Sequence, residues 1–259
     1  MNEPSATPRL IEERDGAVLV LTLDYAARRN ALAPALRGEM ARVLDRVEGD
    51  REIRAIVVQG AGGTFCSGGD LSGMEVGSVL AGRERLRPAH AVIRLLVAGS
   101  KPVVAAVEGW AAGAGLSLAC ACDTVVAAED ARFMAAFGKV GLMADLGLAH
   151  TLPRRVGHAR ARQILLYGEP IDAAQALSMG LVDAVVPKGQ AFAAAMDKAR
   201  ILAAQAPAAV ALTKQMLAEG LDRALEQETH YQSLLFLTAD HAEGKAAFFG
   251  KRAAQFTGT

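Results

Sequence analysis

Aromatic residues are scarce, at 5% of the 259 residues, so a core built from this chain must be filled by Ala, Val, Leu and Gly. Cysteine is scarcer still. Cys66, Cys120 and Cys122 form an odd, sparse set that excludes a disulfide framework. Cys120 and Cys122 lack the spacing of a zinc knuckle, and the five histidines (His90, His150, His158, His230, His241) show no metal-ligand spacing. No metal is expected. Net charge is also missing, because 28 Lys and Arg balance 28 Asp and Glu. A nucleic-acid binder carries a basic excess, so that class is excluded, while a local basic patch for a phosphorylated small molecule is not. Met1 to Arg14 is polar and charged, without the apolar centre of a signal peptide. Reduced thiols and the absence of a leader lead us to expect a cytoplasmic location.

What is present is apolar mass, 52% of the chain, enough for one large domain or a core with a smaller appendage. The 21 residues from Pro102 to Cys122 carry one charge, Glu108, and are long enough to span a bilayer. Pro102, Gly109, Gly113, Gly115 and the charge argue against a span. Pro102–Val107 reads better as a buried strand, followed by a Gly-rich turn and an apolar helix. No membrane association is expected.

Strands are predicted over 17–23, 54–59, 102–107 and 124–128, and helices over 33–47, 85–98 and 113–121. Residues 64–84 hold many Gly and Ser with little periodicity. Beyond residue 140 the chain reads as mostly helical. Asp172 and Gln175 form a capping-box pattern, Pro207 precedes a helix to Leu217, and further helices fall over 221–237 and 242–249. The strand–loop–helix rhythm is that of an α/β fold. A soft boundary near residue 200 separates an α/β core (1–200) from a helical tail (201–259).

Two Gly-rich loops each follow a predicted strand: Phe65-Cys66-Ser67-Gly68-Gly69-Asp70-Leu71, and Glu108 to Leu116 with Gly109, Gly113 and Gly115. Glycines let backbone N–H groups approach a ligand, and the second loop opens a helix whose free N–H groups favour negative charge. Two N–H groups aimed at one carbonyl oxygen form an oxyanion hole, each donor contributing about 3 kcal/mol to a transition state. Simple tight turns in an Ala- and Gly-rich fold would read the same way.

In this order, about 45 residues apart, the loops resemble those of the crotonase, or enoyl-CoA hydratase/isomerase, superfamily. Arg28-Arg29-Asn30-Ala31-Leu32 resembles its early motif, and Lys101 to Leu116 its second oxyanion loop. Leu118–Asp123 and Ile171–Asp183 resemble later signatures. The resemblance implies a spiral of ββα units with a C-terminal helical region that trimerises, often into a dimer of trimers. It implies an acyl-CoA substrate, with coenzyme A arriving as part of that substrate and no other cofactor. By position, the oxyanion donors are the N–H groups of Gly69 and Ala114, where many relatives have Gly for Ala114. Cys66, Ser67, Gly68, Asp70 and Leu71 frame the substrate. Arg28 and Arg29 fall where relatives place bases near the CoA phosphates, although a solvated surface pair is the alternative. Lys251 is expected to reach a neighbouring subunit's CoA.

Family hydratases use two glutamates on water; the matching positions here are Ser117 and Phe137, neither of which can take a proton as a carboxylate does. Asp145, in an apolar stretch, matches an acid of isomerase-type relatives, with Ala144 replacing their Pro. Burial raises a carboxylate's proton affinity and suits it to move a proton beside a thioester. Its alternative is the N-cap of a helix beginning at Leu146. Asp70 reads as a loop brace, Cys66 and Trp110 as packing, Glu75 and Glu84 as surface charge, and His90 as a candidate to line the pocket. The expected function is double-bond isomerisation of an enoyl-CoA. The alternatives are a hydratase or another acyl-CoA lyase or hydrolase using an unidentified acid, and a non-catalytic acyl-CoA-binding homologue. A Clp-type serine peptidase, of similar general fold, lacks its Ser–His–Asp set here.

Overall fold

The strand β2 (Val18–Asp24) alternates its side chains between two buried faces, so the whole strand is apolar rather than half of it. The computed structural model describes residues 6–259; the first five residues of the polar N-terminal stretch lie outside the described residues. Val18 and Val20 pack on one side with Ala55, Val57, Val104 and Ala106, while Leu19, Leu21 and Leu23 face the other with Ile56, Val58 and Ala105. The same two-sided burial marks β3 (Ala55–Gly60), β4 (Val103–Val107) and β6 (Thr124–Ala128), each found within one residue of its predicted start. These strands are parallel neighbours in chain order, extended by β9 (Ala184–Val186) at one edge. At the other edge β1 (Arg9–Asp15) runs antiparallel to β2.

A smaller sheet holds β5 (Trp110–Ala112), β7 (Arg132–Met134) and β8 (Ile171–Asp172). Successive turns of the chain therefore give one strand to each sheet: β4 with β5, β6 with β7, β9 with β8. Helices α3 (Ala114–Cys120) and α6 (Ala173–Ser178) complete these ββα units. This is the spiral that the family resemblance implied.

Helices α1 (Pro34–Glu48) and α2 (Val79–Ala98) cover one face of the large sheet. On the other lies α7 (Ala191–Ala203), whose Ala191, Ala195 and Ala199 are small enough to seat it against Val57, Val104 and Val126. Helices α4 (Leu148–Val156) and α5 (His158–Tyr167) follow the Asp145 turn, and α8 (Pro207–Leu217), α9 (Leu221–Leu235) and α10 (Ala239–Phe249) form the tail.

Several expectations are corrected. The strands β1, β5, β7, β8 and β9 were not anticipated, because β1 is mostly exposed and charged and the others have three residues or fewer. Two of them, β8 and β9, interrupt the stretch after residue 140 that read as helical. Helix α2 starts at Val79, six residues before its predicted start, where the Ser78 hydroxyl accepts from the Ala81 N–H at 3.1 Å. The Asp172–Gln175 capping box is present, with both reciprocal bonds made. The Pro102–Cys122 run is divided among β4, β5 and α3. Among the described residues, no helix is long and apolar enough to cross a membrane. All three cysteines are free and buried, and burial pushes each thiol up to about 12.

The tail is fastened to the core. The ammonium of Lys214, on α8 and 5% exposed, donates to the Leu96 carbonyl at 2.8 Å and pairs with Asp123, which also accepts from the Val103 N–H at 2.7 Å. Removing the carboxylate strands a buried cation and a β4 donor together. We therefore expect Asp123→Ala to lower stability by about 2 kcal/mol, below the full buried-pair range because Asp123 is partly exposed. Urea unfolding measures it, and an unchanged midpoint would show that water replaces the pair.

Candidate active site

The first loop is held by the early motif rather than by its own turns. Asn30 is fully buried with φ +56°, a left-handed conformation that Asn tolerates. Its side-chain oxygen accepts from the Tyr25 N–H at 2.9 Å, and its amide donates to the carbonyls of Ala61 and Thr64 at 2.8 and 2.7 Å. The Ser67 N–H and hydroxyl donate to the carbonyls of Arg29 and Arg28, each at 3.0 Å, and the Leu32 N–H donates to the Gly68 carbonyl at 2.8 Å. Arg28 and Arg29 are exposed beside this bracket. The residue that organises the motif is Asn30, which the sequence alone marked only as part of a pattern.

The second loop is stitched to the first. Cys66 donates to the Trp110 carbonyl at 2.9 Å and accepts from the Ala112 N–H at 3.0 Å. Gly115 permits this approach, since a Cβ there would lie 2.2 Å from the Cys66 carbonyl oxygen. Gly68 has φ +120°, and a Cβ on it would stand 3.2 Å from the Ala112 carbonyl oxygen and 3.9 Å from the Ala114 nitrogen. The N–H groups of Gly69 and Ala114 take no part in the backbone bonds that join the loops. Both residues line one cavity of about 20 Å³, and Ala114 is the first residue of α3. Two unused donors at one cavity can hold a carbonyl oxygen on which charge develops. Around them, Asp70 braces the loop as expected, accepting from the Ser72 N–H and hydroxyl at 3.0 and 2.6 Å, while Leu71 packs partly buried against the core. Cys66, with its thiol pushed up, is packing.

The third wall carries Asp145, 8% exposed and the one acid lining that cavity. It is not a helix cap: α4 begins at Leu148 with Gly147 as its cap residue. Asp145 Oδ2 accepts from the Gln232 amide at 3.2 Å, and its buried Oδ1 has no hydrogen-bond partner among the described residues. The Ser117 hydroxyl donates to the Asp145 backbone carbonyl at 2.8 Å, so the side chain standing where a hydratase glutamate was expected fixes the backbone of the acid. Phe137 is buried packing. Burial foremost, and the nearby charge of Glu228, push the Asp145 carboxyl up from 3.8 to about 7; Gln232, Arg37 and Arg85 pull the other way.

Glu228 was missed. From α9 its Oε1 accepts from the Leu146 N–H at 2.7 Å, its Oε2 from the Gly147 N–H at 2.8 Å, and Nε2 of His90 lies 2.7 Å from Oε1. The helical spacing of Leu221, Leu225, Glu228 and Gln232, two polar residues on a buried stripe, was the available signal. His90 backs this carboxylate and does not line the cavity. Glu75, Glu84 and Lys251 are exposed, and no side-chain contact brings Lys251 to the loops. Among the described residues no cluster suited to a metal ion occurs.

The Enoyl-CoA hydratase/isomerase family model matches residues 13–259. The chain is 37% identical to the 1,2-epoxyphenylacetyl-CoA isomerase of Escherichia coli (strain K12), covering 96% of this chain and 98% of that protein. It is 38% identical to the 2,3-dehydroadipyl-CoA hydratase of the same strain, again over 96% and 98%. A crystal structure of an enoyl-CoA hydratase from Mycobacterium avium subsp. paratuberculosis K-10 superposes with a TM-score of 0.87 at 34% identity, covering 96% and 98% of the two chains.

The Asp145 geometry fixes a sign for pH dependence. Below pH about 4 the carboxyl is protonated folded or unfolded; from there to about 7 only the folded form keeps its proton, so stability falls as pH rises. Asp145→Asn is free of that loss. Relative to wild type it should gain about 4 kcal/mol between pH 4 and pH 8, read from paired urea titrations. A pH-independent difference would mean that Asp145 titrates as an ordinary surface carboxyl.

Proposed function

The chain belongs to the enoyl-CoA hydratase/isomerase family, and we propose that within it the chain moves the double bond of an enoyl-CoA rather than adding water to it. The observation that carries this reading is a single buried acid, with one unpartnered oxygen, on the cavity lined by Gly69 and Ala114. The thioester oxygen accepts from those two N–H groups. Asp145 removes a proton from C2 of a 3-enoyl-CoA, the C–H electrons passing into a dienolate whose negative charge rests on that oxygen. The same carboxyl returns the proton to C4, leaving the double bond at C2. A base that must release what it takes works best with a proton affinity near the ambient pH.

Hydration asks for a second group to hold water. Glu228 is the neighbouring carboxylate, but both its oxygens accept from backbone N–H groups and it does not line the cavity. The relative named an isomerase is consistent with the proposed class, while the relatives named hydratases keep hydration as the second reading. The proposed steps need no metal or redox cofactor. We assign Arg28 and Arg29 to the CoA phosphates and Lys251 to the CoA of an adjoining subunit, in a trimer or dimer of trimers in the cytoplasm. Supporting assembly, Leu212, Met216 and Leu217 of α8 and Phe248 and Phe249 of α10 are exposed on the isolated chain.

Two measurements test these readings. Asp145→Asn should lower turnover of a 3-enoyl-CoA to its 2-enoyl isomer about 10³-fold, and the wild-type rate should climb with pH to a plateau above about 7. Unchanged turnover in the variant removes Asp145 from the chemistry. Light scattering on the eluting protein should give three or six times 27.0 kDa, and a monomeric mass would refute the assembly.

A further inference from the structure

The cavity holds more positive charge than its own acid answers. Arg37, on α1, is 8% exposed, lines the cavity, and has a buried Nε without a hydrogen-bond partner. Arg85, on α2, lines it too; its Nη1 donates to the Gly73 carbonyl at 2.9 Å, but its buried Nη2 has no partner. Neither guanidinium forms an ion pair among the described residues. Asp145 and Asp70 act on both only at longer range, and Asp70 is committed to Ser72. For Arg37 the largest influences are burial and the like charge of Arg85, both of which disfavour its cation.

Burying the Arg37 guanidinium without an acceptor for its Nε is costly, and the like charge of Arg85, partly buried beside it, adds repulsion. Such an arrangement is stable when an anion bridges the pair, and the planar fork of Arg matches a carboxylate. We propose that the acyl group of the substrate carries a carboxylate of its own, received by Arg37 and Arg85 while the thioester meets Gly69 and Ala114. This rests on the acyl-CoA reading above.

The test uses unreactive saturated thioesters and calorimetry on the full chain: glutaryl- and adipyl-CoA against valeryl- and hexanoyl-CoA, with free CoA as a third arm. Wild type should bind at least one carboxylate-ended ligand about 10-fold or more tighter than its methyl-ended counterpart. In Arg37→Met that ratio should fall to about one, with Arg85→Met as the second variant should the first fail to fold. Equal wild-type affinity for both ends overturns the carboxylate but leaves acyl-CoA binding standing. A ratio kept in a folded variant also overturns it, as does an equal loss of affinity for free CoA, which would place the arginines on the CoA phosphates. Failure of wild type to bind any thioester removes the acyl-CoA reading as well.

Discussion

Two backbone N–H groups, those of Leu146 and Gly147, point at the Glu228 carboxylate, and the position of Asp145, the proposed proton carrier, depends on that bond pair. Leu146 has φ +52° and Gly147 φ +70°, so two successive left-handed residues turn the chain into α4. For a Leu that conformation is unfavourable by about 1–2 kcal/mol. Glu228 offsets it by accepting both N–H groups, and His90 holds the carboxylate from behind. Since Glu228 comes from α9, the helical tail is part of the site. Without α9 the turn bearing Asp145 has neither its acceptors nor the Gln232 amide that orients Oδ2.

Legibility in the sequence followed the range over which each residue acts. The buried parallel strands announce themselves because both faces are apolar. The two Gly-rich loops were readable because close backbone approach demands Gly at Gly68 and Gly115 whatever else surrounds them. Asp145 was readable as a lone acid in an apolar run. Glu228 and Gln232 lie 82 and 87 residues from the groups they hold, and a helical stripe says which side is buried without saying what it meets. Arg37 and Arg85 escaped for the opposite reason: charged residues on amphipathic helices read as surface, and only the packing of α1 and α2 around the cavity encloses them. The short strands of the second sheet are too brief to carry a period of two.

The division of labour between backbone and side chain explains why the family was easier to read than the reaction. An N–H group is available from any residue but proline, so the donor role proposed for Ala114 asks nothing of its side chain, provided its Cβ is accommodated; here it is 5% exposed within the core. Holding an enolate oxygen is therefore a property of chain path, and chain path is what sequence similarity conserves best across 96% of this protein. The choice between moving a proton and adding water lies in single side chains, and the proposed reading of that choice rests on Ser117, Phe137 and Asp145.

Asp145 stands between opposed fields. Burial and then Glu228 favour its protonated form, while the Gln232 amide, Arg37 and Arg85 favour the carboxylate. A base under the first influence alone would hold its proton too firmly to ionise near neutrality; under the second alone it would be too weak to take one from carbon. When negative charge forms on a thioester held as proposed at Gly69 and Ala114, the arginines lower its energy, the more so for Arg37, which is buried and therefore less screened. The cations that receive a substrate carboxylate would then be partly neutralised by it, leaving Asp145 more strongly basic once the substrate is seated. Binding and proton transfer are coupled through the same two guanidinium groups, and an acyl chain without its own charge would meet a weaker base.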